Sequence, residues 1–591
     1  MMLPPAPRRP SLALCGAAVL ALAACGGGGG GAGSSQERSG IAGTPAPLAP
    51  LPAPAPSPTP SPAPAAPDPV DAPYLRRVTV DPSHTNASDT GAGTAAQPYR
   101  SIGAALARLQ PGDDIVIAAG TYREAIVVPT LTGATAPTRL RAATARSVTV
   151  KGSVEISGWA LVSPGVYAVP WTREEPQQVY LAGQALQQIG GTVFGGYPTA
   201  PPPDLAGLHT SEGGIWPGRV AGGVAQLVPN SFTYDAAGGR LVVRVNQTLS
   251  STQTLEVSTL RHVFQAEAAA RLTVEGLDFA HANTSTTYRQ GAVKLQGQTS
   301  ELRNIRVRDM DGACVQLVGN DLGLHDSVID GCGQVGLSGR GDRMAVQGNR
   351  ITRANLRGFN KWWEAGGMKL IGTGDVRDAV IRNNVVIHNE GDGIWIDWKN
   401  SGNLIEANTV AYNTGFGIHY EASRTGTIRG NVVYGNGLRG IYLLESAGST
   451  VQGNAVFGNT MEGIAVVDGT RSATDPELSP LNNRVTGNAV AWNDDQRNWV
   501  QLVLPGPRYG SVSDGNVFKS EQLGPRMAMG FPSATAPAYE SLQDWRNATQ
   551  QDLASAAERV ALPDTLRSAL QARRLLDSTE LPAFLRNPGQ P

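Results

Sequence analysis

The feature that most constrains the fold of this chain is an asparagine-containing unit that recurs every 23 or 24 residues. An apolar residue is followed three positions later by asparagine in four consecutive units, at Asn384, Asn408, Asn431 and Asn454. A second asparagine follows each first one by five positions, at Asn389, Asn413, Asn436 and Asn459. Units around Asn349 and Asn488 extend the series in both directions. Repeats of this length stack on one another as a solenoid with one continuous core.

The residues between the asparagines favour short strands rather than helices. Asparagine tolerates left-handed backbone angles and can hydrogen-bond along a stack of coils, so we interpret both series as structural ladders. A charged fraction of 16%, a hydrophobic fraction of 41% and 71 glycines suit a turn-rich, strand-rich protein with a filled core. The sequence therefore predicts an all-β fold, a right-handed parallel β-helix with a short N-terminal capping helix, an inserted β subdomain and a helical C-terminal cap.

Breaks in the repeat suggest the domain limits. The first strand pattern lies near Val78, and apolar residues over 101–109 recur at helical spacing. Together they predict an N-terminal cap with a short helix, and the first coils, over 74–157. Tryptophan- and proline-rich residues 158–258 predict the inserted subdomain, with a hairpin arm after Gly238 and Gly239. The main β-helix with its active face is expected over 259–520. Residues 521–591 form the expected cap, with helical patterns over 542–557 and 566–575.

The N-terminus predicts export. Arg8 and Arg9 precede a short apolar run that ends at Ala24, which is typical of a secretory signal over 1–24. Residues 22–25 (LAAC) resemble a bacterial lipobox, and this resemblance implies lipidation of Cys25 and anchoring to the outer membrane. The Gly- and Pro-rich stretch 25–73 is expected to be a disordered linker. The lipid anchor would be the only contact with a membrane.

Two other features limit partners and cross-links. A formal charge of −1 gives no global reason to expect nucleic acid as a partner, because phosphate binding needs clustered Lys and Arg.

Cys314 and Cys332 lie outside the signal, and export would permit a disulfide between them. Buried free thiols are the commoner outcome in a β-helix core, so the sequence leaves open whether the two cysteines are bonded, and it predicts no metal site from them.

The repeat register aligns two acids. Asp397 follows Asn384 by thirteen residues, and Glu421 follows Asn408 by thirteen. Equivalent residues on stacked parallel strands sit about 4.8 Å apart, so these carboxyls are expected in the same place on adjacent coils. Strand alternation places Ile394 inward and Asp397 on the outer face.

The outward column two residues before the acids consists of Lys369, Trp395, His419 and Tyr442. Aromatic rings beside paired acids suit a sugar, because pyranose rings stack on aromatic faces while charged groups bond the hydroxyls. We therefore predict that this column binds the substrate. The long loop that interrupts the repeat before Asn384 carries Trp363 and Glu364, which we expect in the wall of the same site.

Carboxyls about 5 Å apart match retaining glycosidases, whereas inverting enzymes need about 6.5 to 9.5 Å to admit a water. The spacing of Asp397 and Glu421 therefore predicts a retaining glycoside hydrolase acting on a polysaccharide or oligosaccharide, with no cofactor. Mutual repulsion is expected to keep one of the two carboxyls protonated.

Three alternatives stay open at this point. The two acids could be solvated, or could bind a cation. The protein could be a polysaccharide lyase or uronate C5-epimerase, with Lys369 as the base and calcium as cofactor, although only Asp392 lies close to Asp397 as a further ligand. It could also be a non-catalytic surface protein that binds a glycan.

Segments 393–398 (GIWIDW) and 421–423 (EAS) resemble the β-helix glycoside hydrolases, notably the β-xylosidase family with this fold and its fucosidase and xylanase relatives. The resemblance covers about residues 361–440. It implies that Asp397 is the nucleophile and Glu421 the acid/base, the same pair that the register selects. It does not identify the sugar.

Overall fold

The repeat units form successive coils of a right-handed parallel β-helix, and the predicted fold class is confirmed. The computed structural model describes residues 72–190, 222–250, 252–284, 290–359, 361–362, 365–372, 376–494, 498–533 and 538–588. Each coil contributes one short strand to each of three parallel faces. Within a coil the chain runs from face 1 to face 2 and then to face 3.

Face 1 carries the candidate site, and its strands are Ile126–Val128, Phe264–Ala270, Gly291–Arg303, Ala313–His325, Val335–Arg340, Gly366–Ile371, Asp392–Asp397, Ile418–Glu421, Ile441–Leu444, Ile464–Val467, Val500–Leu504 and Arg526–Met529. Two of these strands, Gly291–Arg303 and Ala313–His325, continue around the corner into face 2. The other strands of face 2 are Arg76–Val80, Asp113–Ile117, Thr138–Ala142, Leu272–Glu275, Ala345–Gln347, Val380–Arg382, Leu404–Glu406, Thr427–Arg429, Thr450–Gln452, Arg484–Thr486 and Val512–Asp514.

Face 3 closes each coil. Its strands are Gly120–Tyr122, Val148–Lys151, Leu277–Ala280, Arg306–Met310, Val328–Cys332, Arg350–Ala354, Val385–Ile387, Thr409–Ala411, Val432–Tyr434, Ala455–Phe457, Ala489–Ala491, Val517–Ser520 and Ala556–Arg559.

Residues 153–258 leave the coil path and pair antiparallel, apart from one short parallel contact between Gln187–Gln188 and Ser231–Asp235. One sheet contains Ser153–Ile156, Val179–Leu181, Gln184–Ala185 and Leu255–Ser258, and the other contains Ala160–Ser163, Val166–Pro170, Gln187–Gln188, Ser231–Asp235 and Arg240–Arg244. The predicted hairpin after Gly238 is confirmed, since Ser231–Asp235 and Arg240–Arg244 pair antiparallel across it. This region has its own apolar cluster, which includes Trp159, Trp171 and Phe232.

Four α-helices are described, Ile102–Leu106, Leu542–Thr549, Asp564–Ala572 and Ala583–Arg586. The first begins at Ser101, whose hydroxyl accepts a hydrogen bond from the Ala104 amide, and it packs on the first coils as predicted. Short 3₁₀ turns lie at Val224–Gln226, Arg471–Ala473, Pro476–Leu478, Pro507–Tyr509 and Ser578–Glu580.

The helical pattern predicted over 542–557 is wrong in its second half. The helix ends at Thr549, and Ala556–Arg559 instead pairs with Val517–Ser520 as the last strand of face 3. This pairing satisfies the backbone groups that Val517–Ser520 would otherwise leave unpaired on that side. The helix Asp564–Ala572 packs along the side of face 3 through Leu566, and the Tyr412 hydroxyl bonds the Ala569 carbonyl at 3.1 Å.

Both asparagine series form hydrogen-bonded ladders. The side-chain nitrogen Nδ2 of Asn384 donates to Asn408 Oδ1 at 2.9 Å, and Nδ2 of Asn408 donates to Asn431 Oδ1 at 2.9 Å. The expected left-handed backbone angle falls one residue earlier, however, as at Asn383 (φ 57°) and Ala407 (φ 53°). The ladder residue is therefore fixed by its buried side-chain bonds rather than by its own backbone conformation.

In three successive coils of the site, a glycine lies directly before the first inward-facing isoleucine of the face 1 strand. A Cβ added at Gly393 would lie 2.4 Å from Val410 Cγ1 and 2.8 Å from Asn413 Nδ2. Gly417 and Gly440 meet the equivalent valine and asparagine of the next coils in the same way. Close packing of the second ladder against the core thus requires glycine here, and this packing fixes where the site strands begin.

Cys314 and Cys332, whose bonding the sequence left open, form a disulfide within the core, and both residues are fully buried. The two side chains project into the same part of the interior, with Cα atoms 5.5 Å apart, which is within the range that a disulfide can bridge.

The predicted signal peptide, Cys25 and nearly all of the predicted linker lie outside the described residues. Within the described part of the chain, the structure contains no helix long and apolar enough to span a bilayer.

Candidate active site

The predicted register of the two acids is confirmed. Asp392–Asp397 and Ile418–Glu421 pair in parallel, with Asp397 directly opposite Glu421. The same pairing aligns Lys369, Trp395, His419 and Tyr442 on four successive coils. Since adjacent strands are about 4.8 Å apart, the acids occupy neighbouring positions on one surface.

The side chains also point as predicted, but the outer surface is covered. Ile394 and Ile396 are fully buried in the core, so Trp395 and Asp397 lie on the opposite surface of the sheet. Only 10% of the Asp397 side chain and 12% of the Glu421 side chain are exposed. The interpretation of the two acids as ordinary solvated surface residues is therefore wrong.

The residues of the outward column stack on one another. The rings of Trp395 and His419 are 5.1 Å apart at 18°, and those of His419 and Tyr442 are 5.0 Å apart at 21°. Lys369 Nζ lies 3.3 Å from the centroid of the Trp395 ring. Both faces of Trp395 are thus occupied within the protein. The expectation that a pyranose stacks on this ring is wrong, because in-register aromatic residues 4.8 Å apart use their faces for each other.

Glu421 is surrounded by hydrogen-bond donors. Trp395 Nε1 donates to Oε2 at 3.0 Å, and Arg471 Nη2 donates to Oε1 at 2.7 Å. His419 Nε2 lies 3.6 Å from Oε2. Burial by itself would raise the pKa of Glu421, but the neighbouring His419, Arg471 and Lys369 outweigh it and hold the pKa below its usual range.

Asp397 has fewer partners. Lys369 Nζ contacts Oδ2 at 3.1 Å, while the buried Oδ1 has no hydrogen-bond partner among the described residues. Burial raises the pKa of Asp397 above its usual range, the Lys369 charge opposes this rise, and repulsion from Glu421 adds to it. One carboxyl of the pair is therefore biased towards protonation as expected, but burial contributes more to this than repulsion.

A nucleophile must be ionised and a general acid must be protonated. The pKa shifts of Asp397 and Glu421 run in opposite directions, so the site favours one ionised and one protonated carboxyl, as the two roles require.

Asp392 holds the His419 ring in place. Its Oδ2 lies 2.9 Å from His419 Nδ1, and its Oδ1 accepts the Phe416 amide at 2.8 Å. Because the carboxylate fixes a proton on Nδ1, Nε2 points towards Glu421 and has no hydrogen-bond partner within the described part of the chain. Asp392 and His419 form a buried dyad directed at the acid pair.

The segment 468–482 forms one wall of the site. It leaves face 1 after Val467 and returns across earlier coils, where Asp475 contacts Lys399 at 2.6 Å. Arg471 lies in this segment, and its backbone amide donates to Glu445 Oε1 at 2.7 Å. The Arg471 guanidinium also bonds Glu445 through Nε, so it bridges Glu445 and Glu421.

The opposite side of the site is aromatic. Trp362 is 45% exposed and meets the Phe416 ring edge-on at 6.1 Å, and Phe416 in turn packs on Tyr442 at 4.6 Å. Trp362 is thus more exposed than Trp395, although Lys361 Nζ lies 5.1 Å from the centroid of its ring. The neighbouring Trp363 and Glu364, predicted in this wall, lie outside the described residues.

Sequence reasoning missed three site residues. Asp392, which the sequence offered only as a possible further cation ligand, lies five positions before Asp397, and strict alternation assigns residues an odd number of positions apart to opposite faces, so it did not predict the contact of Asp392 with His419. Glu445 follows the strand Ile441–Leu444 by one residue, and Arg471 lies in a segment without a repeat. No spacing could have connected Arg471 with Glu421, from which it is 50 residues distant.

The lyase alternative requires a calcium site. Over the residues that the structure describes, no group of three or more His, Cys, Asp or Glu is arranged to hold a metal ion. Lys369, the base in that alternative, is ion-paired with Asp397 and lies over the Trp395 ring.

Comparison with known proteins agrees with the fold. The model of the family described as right-handed β-helix region matches residues 290–456 and 399–495. No curated protein matches the chain. XylC, solved in complex with xylose, is 16% identical over 75% of this chain and 83% of its own, with a TM-score of 0.54.

Two further solved structures have lower scores. A glycoside hydrolase is 12% identical over 75% of this chain and 93% of its own, with a TM-score of 0.42. The A-module of the mannuronan C-5 epimerase AlgE6 from Azotobacter vinelandii is 13% identical over 78% of this chain and 93% of its own, with a TM-score of 0.38. The family match and the likeness to XylC identify the core of the chain as a right-handed β-helix.

Proposed function

We propose that the protein is a glycoside hydrolase that cleaves a polysaccharide or oligosaccharide with retention of anomeric configuration, using Asp397 and Glu421. The observation that carries the proposal is the register of these two acids on adjacent strands of face 1. Strands about 4.8 Å apart suit the carboxyl separation of about 5 Å in retaining enzymes.

The environment of the acids supports catalysis rather than a structural ion pair. The buried Asp397 Oδ1 and His419 Nε2 have no hydrogen-bond partner among the described residues. Leaving buried polar atoms unpaired is costly, about 1–3 kcal/mol each, and such atoms in native proteins mark functional positions. A glycosidic oxygen and a sugar hydroxyl would satisfy them.

A sugar is also consistent with the rest of the site. The Trp362 ring, which is 45% exposed, packs on Phe416, and Phe416 packs on His419 next to the acids. Trp362 therefore provides a stacking surface near the acid pair. XylC, which shares the fold, was solved with a bound xylose. The ion pair between Lys369 and Asp397 does not favour Lys369 as the base of a lyase or epimerase.

The test is hydrolysis of a panel of 4-nitrophenyl glycosides, beginning with the β-D-xylopyranoside, and of plant and bacterial glycans. The proposal expects turnover by the wild type, with the first-formed anomer retained in NMR spectra. Asp397→Ala and Glu421→Ala are each expected to lower kcat/KM at least ~1,000-fold on natural glycans, since each removes one half of the acid–nucleophile pair.

Other outcomes would replace the proposal. Products that absorb as unsaturated uronides and need calcium would establish a lyase, and C5 inversion without cleavage would establish an epimerase. Binding of a glycan without any turnover would establish a surface binding protein. An inverted first product would retain the hydrolase and overturn the retaining mechanism.

We also propose that the chain is exported and anchored to the outer membrane through a lipid on Cys25. The segment 22–25 and the apolar run before it support this proposal. Mass spectrometry of the membrane fraction should find a diacylated N-terminal cysteine, and Cys25→Ser should release the protein from that fraction. Detection of an unmodified Cys25 in the mature protein would refute the anchor.

A further inference from the structure

Face 1 continues beyond the acid pair on its N-terminal side. Asp397 pairs with Ile371 of the preceding strand, and Leu370 of that strand pairs with Gly339 of the strand before it. Continuing this pairing by one residue places Arg340 opposite Ile371, so Arg340 belongs to the column of Asp397. The two backbones are separated by two strand spacings, which is about 10 Å.

The Arg340 side chain points to the same surface as the acids. Leu337 lies in the core, and a Cβ added at Gly339 would lie 3.2 Å from Sδ of the core residue Met344. Alternation along the strand therefore directs Arg340 away from the core, and Arg340 is exposed. The column that carries the two acids thus also carries a cation at its surface.

Arg340 differs from the other basic residues of face 1 because it has no acidic partner. Every other basic side chain on the face 1 strands that the structure describes is paired with a carboxylate: Lys294 with Glu267, Arg303 and His325 with Glu301, Lys369 with Asp397, His419 with Asp392, and Arg526 with Glu540. The Arg340 guanidinium forms no ion pair or hydrogen bond with any described residue. It can therefore receive an anion from outside the protein.

A second unpaired group lies on the neighbouring strand. Val318 pairs with Arg340, and Gln316 pairs with Ser338, so the Gln316 side chain is on the same surface as Arg340. Gln316 Oε1 is buried and has no hydrogen-bond partner in the described part of the protein. An amide oxygen accepts a hydrogen bond from a hydroxyl group, and sugars offer many of these.

We infer that Arg340 binds an anionic substituent, a carboxylate or a sulfate ester, on a sugar beyond the one that lies at the acid pair. Gln316 bonds a hydroxyl of the same part of the glycan. The substrate is then an acidic polysaccharide or oligosaccharide, not a neutral one. This inference rests on the proposed function and names the substrate class of the same site.

The chemistry of the guanidinium suits this role. Its planar fork donates two parallel N–H groups, which match the oxygens of a carboxylate or a sulfate. Arg340 lies too far from the acids to touch the reacting atoms, so it determines specificity and is not a catalytic residue. A bond made equally in the bound substrate and in the transition state lowers KM and leaves kcat unchanged.

The test compares one glycan in its native form and in a neutral form. The panel includes glucuronoxylan, polygalacturonate and a sulfated galactan, and the glycan with the highest kcat/KM is tested again after carboxyl reduction or desulfation. The native form should have a kcat/KM about 5- to 10-fold higher, since a pair with an exposed arginine contributes less than a buried one. The two treatments, applied separately, show whether the anion is a carboxylate or a sulfate.

Variants of Arg340 are compared through the ratio of kcat/KM on the native form to kcat/KM on the neutral form. Arg340→Gln should bring this ratio close to 1 by raising KM on the native form. Arg340→Lys keeps the charge but not the fork, so it should keep part of the preference. Arg484→Gln is the matched control and should leave the ratio unchanged, because Arg484 is exposed on face 2 and has no carboxylate partner among the described residues.

Three results would overturn the inference and keep the hydrolase: a best-cleaved glycan that is neutral, equal kcat/KM on the two forms, or an equal loss on both forms in Arg340→Gln. A wild type without turnover overturns the proposed function instead. Isothermal titration calorimetry with the same pairs of glycans then tests the anion site alone. Binding of the native form that is lost in Arg340→Gln supports the site, whereas equal binding of both forms, or none, refutes it.

Discussion

Replacing Asp392 by Asn tests whether the Asp392–His419 dyad serves catalysis. The carboxylate accepts the His419 Nδ1 proton at 2.9 Å and the Phe416 amide at 2.8 Å. An asparagine of the same size can keep the bond from Phe416 but presents an N–H group, or a weaker acceptor, to Nδ1. The ring would then shift its proton to Nε2 or lose its fixed orientation.

The expected decrease in kcat/KM follows from the loss of the hydrogen bond between Asp392 and His419 Nδ1. Hydrogen bonds to charged groups contribute about 1.5–3 kcal/mol, and each 1.36 kcal/mol corresponds to tenfold in rate, so kcat/KM should fall about 10- to 150-fold. The assay combines kcat/KM on the aryl glycoside with ¹⁵N NMR of the histidine side chains, which reports the tautomer of His419.

Asp330→Asn is the matched control, because Asp330 pairs with Arg353 at 2.6 Å on the exposed side of face 3. It should change kcat/KM less than about twofold, since surface ion pairs contribute little. Full activity of Asp392→Asn, or loss of activity with the His419 tautomer unchanged, would refute the role of the dyad.

Three further predictions concern the scaffold. Asn408→Ala removes two donated bonds and two accepted bonds, at 2.9–3.0 Å, and should lower the free energy of unfolding by roughly 3–6 kcal/mol, measured by urea titration with circular dichroism. Gly393→Ala forces a methyl group against the second ladder and should cost about 1–3 kcal/mol in the same assay. Reduction of the Cys314–Cys332 disulfide, which closes a loop of 18 residues, should cost about 3 kcal/mol and lower the urea midpoint.

Matched controls accompany these changes. Asn547→Ala alters an exposed asparagine of the helix Leu542–Thr549, and Gly506→Ala adds a methyl group with no atom within 4 Å. Both should change the free energy of unfolding by less than about 0.5 kcal/mol. A ladder or glycine variant as stable as its control would contradict the account of how the coils are held together.

The sequence predicted the register of this protein because a parallel stack converts spacing along the chain into position in space. The asparagine series alone placed Asp397 opposite Glu421. The glycine and apolar residue before Lys369 aligned it with Trp395 and His419, and strand alternation gave the direction of these side chains. The same logic does not reach Asp392, because it lies an odd number of positions before Asp397 on the same strand.

The tertiary structure decided what surrounds those positions. The burial of the acids, the stacking of Trp395 on His419 and the contact of Arg471 with Glu421 depend on side chains and on a segment that do not repeat. A segment without a repeat has no register, so its conformation follows from packing rather than from spacing. The sequence therefore determined which residues stand side by side, and only the fold determined that Arg471 reaches Glu421 and that both carboxyls are buried.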